Sequence, residues 1–222
     1  MYPFITLSGP DLVGKQTQTE LLAKALGAEL FSFPNYNRLA GQLVRAALTN
    51  SDLTLTRKLT KGFQLLEEVT IKDYFSKKEN PAVFQLFHMI DRLEAQMAIL
   101  ETLKTKPIVA DRYDIDALVY GSVDGVDIAW VRELISILRP SDLVIILKGP
   151  NFVRKNEFQD ANESDKEFLE KIKLSYDSFI VSEGWETVET AMAISKEESI
   201  DLTHKNILNL VYAKFPELLC SH

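Results

Sequence analysis

The sequence has little cysteine and little histidine, and each scarcity excludes a class of protein. Cys220 is the only cysteine in 222 residues. A disulfide framework is therefore excluded, and the reducing cytoplasm is the expected location. The three histidines, His88, His204 and His222, are scattered and have no cysteine neighbours in sequence. The pattern does not predict a zinc site.

Positive charge and long apolar runs are also scarce. The sequence has 25 Lys and Arg against 32 Asp and Glu, a net charge of −7. This balance argues against a nucleic-acid partner that needs a large basic surface, although not against a local basic pocket. No apolar run is long enough to span a bilayer, and residues 1–3 carry no basic leader. We therefore expect neither a signal peptide nor a membrane partner.

Short apolar runs alternate with longer helical patterns. Five of these runs have the length of strands: residues 4–7, 30–33, 108–110, 143–147 and 186–188. Mostly apolar strands are typical of a parallel sheet that helices cover on both faces. The length of 222 residues suits one domain. The sequence therefore predicts a single α/β domain over residues 1–222 with three layers and a central five-stranded parallel sheet.

A long helix is predicted over residues 81–104, and it has two distinct stripes. The apolar stripe, which predicts either protein core or a subunit interface, consists of Leu86, Ile90, Leu93, Met97 and Leu100. The other stripe consists of His88, Asp91, Arg92 and Ala95. It is interpreted either as a solvated face or as a functional one, because an arginine, an aspartate and a histidine share it.

Residues 51–80 are polar and mixed in charge, and they look helical around residues 63–74. Because this stretch lacks a set of strands of its own, we interpret it as a helical insertion rather than as a separate domain.

The strongest motif is a glycine-rich loop at residues 9–15, which fits G-x-x-x-x-G-K between a predicted strand and a predicted helix. Glycines let the backbone approach a phosphate, and a helix N-terminus adds positive potential. Lys15 would reach the β- and γ-phosphates of ATP. The alternative is an incidental turn, which the flanking strand and helix disfavour. The predicted ATP site consists of Gly9, Pro10, Leu12, Val13, Gly14, Lys15, Gln16 and Thr17.

The loop departs from the usual motif at Gln16, where a serine or threonine hydroxyl normally ligates Mg²⁺. A glutamine is a longer and poorer oxygen ligand, and Thr17 points elsewhere on a helix. We therefore expect Mg²⁺ to depend on phosphate oxygens, water and the carboxylates of Asp11 and Asp111.

A second motif, Asp111-Arg112-Tyr113, directly follows the strand predicted at residues 108–110. Ligands gather at the carboxyl ends of parallel strands. Asp111 would meet Mg²⁺ or its water shell there, and Arg112 would bind a phosphate through its forked donors.

In this order along the chain, the motifs resemble the thymidylate kinase family. The resemblance covers most of the chain apart from residues 51–79. The matching segments are residues 4–18, residues 33–36 with Gly41, residues 86–92, residues 111–120 against D-R-Y-x-x-S-x-x-A-Y, and residues 140–144 and 160–176. The resemblance implies a P-loop kinase fold, transfer of the γ-phosphate of ATP to dTMP with Mg²⁺, and a homodimer packed through helices.

The resemblance also implies roles for individual residues. Lys15 would bridge ATP phosphates, and Asp11 would lie near the metal and the acceptor's 3′-hydroxyl. Arg112 would hold the acceptor phosphate. Arg92 would donate to a pyrimidine carbonyl, and Tyr120 would disfavour ribonucleotides by crowding the 2′ position. The implied acceptor pocket consists of Asp11, Phe33, Pro34, Tyr36, His88, Arg92, Arg112 and Tyr120. Core packing is an equally good interpretation of Phe33.

Three departures from the family pattern bear on the substrate. His88 stands where the family usually stacks Phe or Tyr on the base, Asp116 replaces the serine of the D-R-Y-x-x-S motif, and Gly121 follows Tyr120 where glutamine is common. These residues leave open a preference for dUMP or for a 5-modified pyrimidine.

Leu12 stands where some family members carry a catalytic arginine. We therefore expect the cation from Arg154 or Lys155, in a short lid over residues 149–165, although both could be surface cations. Two other functions stay open. One is a deoxynucleoside kinase of the same fold. The other is a catalytically silent nucleotide-binding protein, which the altered motif positions such as Gln16 would fit.

Overall fold

The computed structural model describes residues 1–49, 53–58, 64–69, 80–150 and 166–220. The strands within these ranges are β1 (Phe4–Ser8), β2 (Glu29–Ser32), β3 (Leu53–Lys58), β4 (Gln64–Val69), β5 (Ile108–Asp111), β6 (Leu143–Lys148) and β7 (Glu186–Glu189). The helices are α1 (Lys15–Ala25), α2 (Leu39–Thr49), α3 (Pro81–Thr102), α4 (Ile115–Val123), α5 (Ile128–Ile135), α6 (Lys166–Glu183) and α7 (Lys196–Lys214). A 3-10 helix over Pro216–Cys220 follows α7.

In the described part of the chain, a five-stranded sheet has the strand order β2-β5-β1-β6-β7. All of its neighbouring strands pair in parallel. The predicted parallel sheet is confirmed, and all of its strands lie within a residue or two of their predicted positions. The central strand β1 lies between β5 and β6, and all five of its residues are buried.

Alternate residues of each strand face opposite layers of helices, because the side-chain period of a strand is two. Ile5 and Leu7 of β1 belong to the core cluster that contains residues of α1 and α7. Phe4 belongs to a second cluster with Met89 and Ile99 of α3. Helices therefore cover both faces of the sheet, which confirms the three-layer α/β fold.

The insertion at residues 51–80 contains strands where a helix was expected. β3 and β4 pair antiparallel, with Leu53 opposite Val69, so the helical interpretation is wrong for Gln64–Val69. In β3, leucine alternates with β-branched threonine, and this alternation favours a strand. Pairing with β3 then outweighs the helical propensity of the Gln-Leu-Leu-Glu-Glu run in β4. Residues 50–52, 59–63 and 70–79 lie outside the described residues.

Most of the expected lid also lies outside the described residues, which exclude 151–165. Arg154 and Lys155 fall in this range, and so their predicted roles stay predictions. His222 lies outside the described residues as well.

The two stripes of α3 have opposite environments. Asp91, Arg92 and Ala95 are buried, so the solvated interpretation of their stripe is wrong. The apolar stripe, from Leu86 to Leu100, is exposed in the single chain, so the core interpretation is wrong, and the subunit interface stays a prediction. None of the described helices is both long and apolar enough to cross a membrane.

Candidate active site

The glycine-rich loop connects the end of β1 to the start of α1. Gly9 has φ +140°, and a Cβ at this position would overlap the carbonyl oxygen of Leu147 on the adjacent strand β6. Gly14, the N-cap of α1, has φ +89°. Leu12 also has a positive φ, of 66°, which is strained for a residue with a side chain. The loop therefore has the tight backbone that phosphate binding requires.

Lys15, the last residue of this loop, begins the first turn of α1. The first N–H groups of a helix have no intrahelical acceptor, and they bind anions readily. Val13 is buried in the core, and its carbonyl oxygen accepts a hydrogen bond from Thr190. Gln16 and Thr17 are exposed on α1. The arrangement is suited to hold phosphates against the backbone.

Lys15 is buried, with only 7% of its surface exposed. Its Nζ donates to the carbonyl oxygen of Pro10 at 2.5 Å and lies 3.5 Å from Oδ1 of Asp11. Burial and the nearby Arg112 lower the pKa of Lys15 to about 8, although Asp11 opposes them. The ammonium is thus held across the loop, where an anionic ligand would favour its charged form.

Asp11 and Arg112 form an ion pair at the carboxyl end of the sheet. Nη2 of Arg112 donates to Oδ1 of Asp11, and Nη1 donates to the hydroxyl of Tyr120 at 2.8 Å. Burial raises the pKa of Asp11, but Arg112 and Lys15 outweigh it and hold this pKa at about 2. Arg112 has a left-handed φ of 61°, and its N–H donates to the carbonyl oxygen of Leu7 at 2.9 Å.

A cleft opens beside this ion pair. All of the residues predicted for the acceptor pocket line it: Asp11, Phe33, Pro34, Tyr36, His88, Arg92, Arg112 and Tyr120. Both interpretations of Phe33 hold, because it is buried against the ring of Tyr113, with centroids 5.2 Å apart, and also lines the cleft.

The loop after β2, which carries Tyr36, is fastened to the neighbouring helices. The backbone N–H of Asn35 lies 3.1 Å from both carboxylate oxygens of Asp91 on α3. On α2, a Cβ at Gly41 would overlap the carbonyl oxygen of Asn35. Asp91 therefore positions the wall of the cleft, and Gly41 permits the close approach of the loop.

Arg92 reaches the cleft with a fixed guanidinium group. Its Nε donates to the carbonyl oxygen of Tyr113 at 2.8 Å, and its Nη1 donates to that of His88 at 2.7 Å. Nη2 makes no hydrogen bond with the described residues. The ring of His88 meets Phe84 edge-on, with centroids 4.7 Å apart. One face of α3 thus offers a donor and an aromatic ring to the same space.

Asp11 and Asp111 are the carboxylates that were predicted to hold Mg²⁺. Oδ1 of Asp111 is buried and has no hydrogen-bond partner among the described residues. Asp111 lies opposite Leu7 in the sheet, close to the glycine-rich loop. Gln16 is directed along α1, where its amide donates to Glu20 at 3.0 Å. No group of three or more possible metal ligands occurs in the described ranges. The residues therefore fit an ion held mainly by phosphates and water.

Comparisons with known proteins assign the family. A probable thymidylate kinase from Pyrococcus horikoshii is 30% identical over 214 residues, which cover 94% of this chain and 95% of that relative. This chain belongs to the thymidylate kinase family. A second probable thymidylate kinase, from Methanococcus maripaludis, is 29% identical over 229 residues, which cover 99% of this chain and all of that relative. No family model matches the chain.

Solved thymidylate kinases share the fold. The enzyme from Candida albicans aligns with a TM-score of 0.70 and 19% identity, over 96% of this chain and 92% of that one. The enzyme from Ehrlichia chaffeensis aligns with a TM-score of 0.64 and 17% identity, over 95% of this chain and 98% of that one. At these identities the structures support the P-loop fold, while the sequence relatives support the family.

The sequence prediction of the acceptor pocket missed several residues that line the cleft: Leu48, Phe84, Gln85, Asp116 and Ala117. Gln85 is buried, and its Nε2 has no hydrogen-bond partner among the described residues. Helical spacing was a usable signal, because Gln85 precedes His88 by three positions and Arg92 by seven. Asp116 was noted only as a departure from the thymidylate kinase motif.

Proposed function

We propose that the chain transfers the γ-phosphate of ATP to dTMP and so produces dTDP. The position of Asp11 carries this proposal. Its carboxylate lies 3.5 Å from Lys15 of the glycine-rich loop and pairs with Arg112 of the cleft. A donor phosphate on the loop and an acceptor phosphate in the cleft would therefore meet at one point.

Catalysis at this point consists of positioning and charge neutralisation. The attacking group is an oxygen of the acceptor phosphate, whose second pKa of about 6 leaves it ionised at neutral pH. The attack therefore needs no general base. Lys15 and the N-terminus of α1 hold the donor phosphates, and Arg112 orients the acceptor phosphate. Bound Mg²⁺ supplies further charge neutralisation, and Asp11 and Asp111 would hold the ion or its water shell.

Base recognition depends on α3. Arg92 donates Nη2 to O4 of thymine or uracil, the position where cytosine carries an amino group. The buried amide of Gln85 is a second polar group for the base edge. His88 lies beside the ring of the base, and Tyr120 disfavours the 2′-hydroxyl of a ribonucleotide. The site thus favours dTMP or dUMP over dCMP and UMP.

We expect the highest kcat/KM for dTMP or dUMP in a coupled assay of ADP release with dTMP, dUMP, dCMP, dGMP, UMP and thymidine. His88→Phe should keep turnover and lower the KM for dTMP, because phenyl stacks more extensively than imidazole. Discrimination for the 5-methyl group should amount to about 1–3 kcal/mol at most.

Each contrary result of this assay has a definite meaning. Equal efficiency on dCMP and dTMP would contradict the role of Arg92. Turnover of thymidine without turnover of dTMP would instead indicate a deoxynucleoside kinase. No turnover of any acceptor would indicate a silent nucleotide-binding protein. A large loss of activity in folded His88→Phe would show that the imidazole makes an essential hydrogen bond.

The exposed apolar stripe of α3 supports a homodimer. Contiguous exposed apolar side chains on one helix are typical of a protein interface. Met97, the most exposed residue of the stripe, is 71% exposed in the single chain, and Met192, outside α3, is 73% exposed. We expect light scattering to give the mass of a dimer for wild type and for Met192→Asp, and of a monomer for Met97→Asp. A monomeric wild type would contradict the proposal.

Two predictions from the sequence remain, the catalytic cation of the lid and the location in the cell. Arg154 supplies the charge that Leu12 lacks, and the protein acts in the cytoplasm. Both stay predictions.

A further inference from the structure

Asp116 carries a buried carboxylate next to the ion pair of Asp11 and Arg112. It lies in the first turn of α4 and is 4% exposed. Its Oδ1 accepts hydrogen bonds from the hydroxyls of Ser8 at 2.6 Å and Tyr176 at 2.8 Å. Its Oδ2 accepts one from the backbone N–H of Tyr113 at 3.0 Å.

These three hydrogen-bond donors are neutral, so they stabilise the carboxylate but do not cancel its charge. A buried carboxylate is costly unless a cation compensates it. Nη1 of Arg112 lies 3.6 Å from Oδ1 of Asp116. Arg92 is a second cation within the electrostatic reach of Asp116. The serine that the family motif has at this position would offer a hydroxyl to the same donors, but it would bring no charge.

Arg112 is consequently held between two carboxylates of unequal accessibility. Both carboxylates line the cleft, but Asp11 is 15% exposed whereas Asp116 is only 4% exposed. A doubly charged acceptor phosphate would repel Asp11 and compete with it for Nη2. Nη1 donates its hydrogen bond to Tyr120 and lies 3.6 Å from Asp116, so a phosphate that displaces Asp11 from Nη2 leaves the attraction between Asp116 and Nη1 in place.

Resting on the proposed function, we propose that Asp116 is a positioning residue for the acceptor phosphate. It acts through Arg112. Its charge keeps the guanidinium group in place while the phosphate displaces Asp11 from Nη2. Arg112 has a left-handed backbone, and its Nη atoms lie near both carboxylates.

The test compares the affinities of dTMP and thymidine by calorimetry, because only dTMP carries the phosphate. Asp116→Asn removes the charge but keeps the size, and its amide can donate to the hydroxyls of Ser8 and Tyr176, which are free to rotate. We expect Asp116→Asn to weaken dTMP binding by about tenfold and to leave thymidine binding within about twofold. The KM for dTMP should rise similarly, with little change in the KM for ATP.

A double-mutant cycle separates this role from general support of the fold. In an Arg112→Ala background, Asp116→Asn should cause no further loss of dTMP affinity. Tyr176→Phe is the matched control, because it removes a hydrogen bond to the same carboxylate but keeps the charge. It should leave the ratio of dTMP to thymidine affinity unchanged. If Asp116→Asn does not fold, Asp116→Ser, which carries the family's residue, takes its place.

Equal losses for dTMP and thymidine would overturn the inference, because they would indicate distortion of the cleft or action through Arg92. The inference would also be overturned if the losses of dTMP affinity from Asp116→Asn and Arg112→Ala were fully additive in the double mutant. Failure of the proposed function is distinguishable, since the wild type would then neither bind nor phosphorylate dTMP.

Discussion

Lys15→Ala should lower kcat by a factor of about one hundred or more, equivalent to roughly 3 kcal/mol or above of transition-state stabilisation. The buried ammonium lies on the loop at 2.5 Å from the carbonyl oxygen of Pro10. Charge that develops on the transferred phosphoryl group would have no other cation of this loop to stabilise it, since residues 9–14 carry no Lys or Arg. Steady-state kinetics with saturating ATP and dTMP measures the effect directly.

Lys24→Ala is the matched control for this change. Lys24 lies in the last turn of the same helix and is exposed. Its replacement should leave kcat within about twofold, since substitutions at exposed sites away from the active centre have small effects. Near-normal turnover in folded Lys15→Ala would contradict the assignment of the loop as the donor phosphate site.

Arg112→Ala should lower kcat/KM for dTMP by about one hundred to one thousandfold, with a much smaller change in the KM for ATP. The variant loses the forked donors for the acceptor phosphate. It also leaves Asp11 and the buried Asp116 without their common cation, and removal of one partner of a buried pair costs about 3–5 kcal/mol. We therefore expect a lower Tm together with the kinetic loss.

Two further variants separate charge, geometry and stability. Arg112→Lys keeps the charge but not the fork, and it should recover stability more than it recovers the KM for dTMP. Arg132→Ala removes an exposed arginine that pairs with Glu183 at 2.6 Å. It should change neither the kinetics nor the Tm by much, because exposed ion pairs contribute about 0–1 kcal/mol. An unchanged KM for dTMP in folded Arg112→Ala would remove Arg112 from the acceptor site.

The sheet and the glycine-rich loop could be predicted because their signals are local. An apolar run identifies each strand, and the spacing of Gly9, Gly14 and Lys15 identifies the loop. The strand ends then bring Asp111 and Arg112 to the same edge as the loop, by the geometry of parallel sheets. The acceptor residues, by contrast, were predicted from the resemblance to the thymidylate kinase family, and they line one cleft.

Features that depend on distant partners could not be predicted in the same way. Asp116 receives hydrogen bonds from Ser8, 108 positions away, and from Tyr176, 60 positions away. Asp91 bonds the backbone of Asn35 across 56 positions. The spacing of residues within α3 or α4 gives no information about these distant partners. The strand β4 was missed for the same reason, because its partner β3 rather than its own composition decides its conformation.

The two faces of α3 restrict its length. Successive residues of a helix are turned by about 100°, so one inserted residue between Gln85 and Arg92 would rotate every later side chain by that angle. Such an insertion would move Arg92 out of the cleft and Met97 out of the exposed stripe at once. A deletion of one residue would rotate the later side chains by the same angle in the opposite direction. We therefore expect relatives of this protein to differ in length at the ends of α3 and not within it.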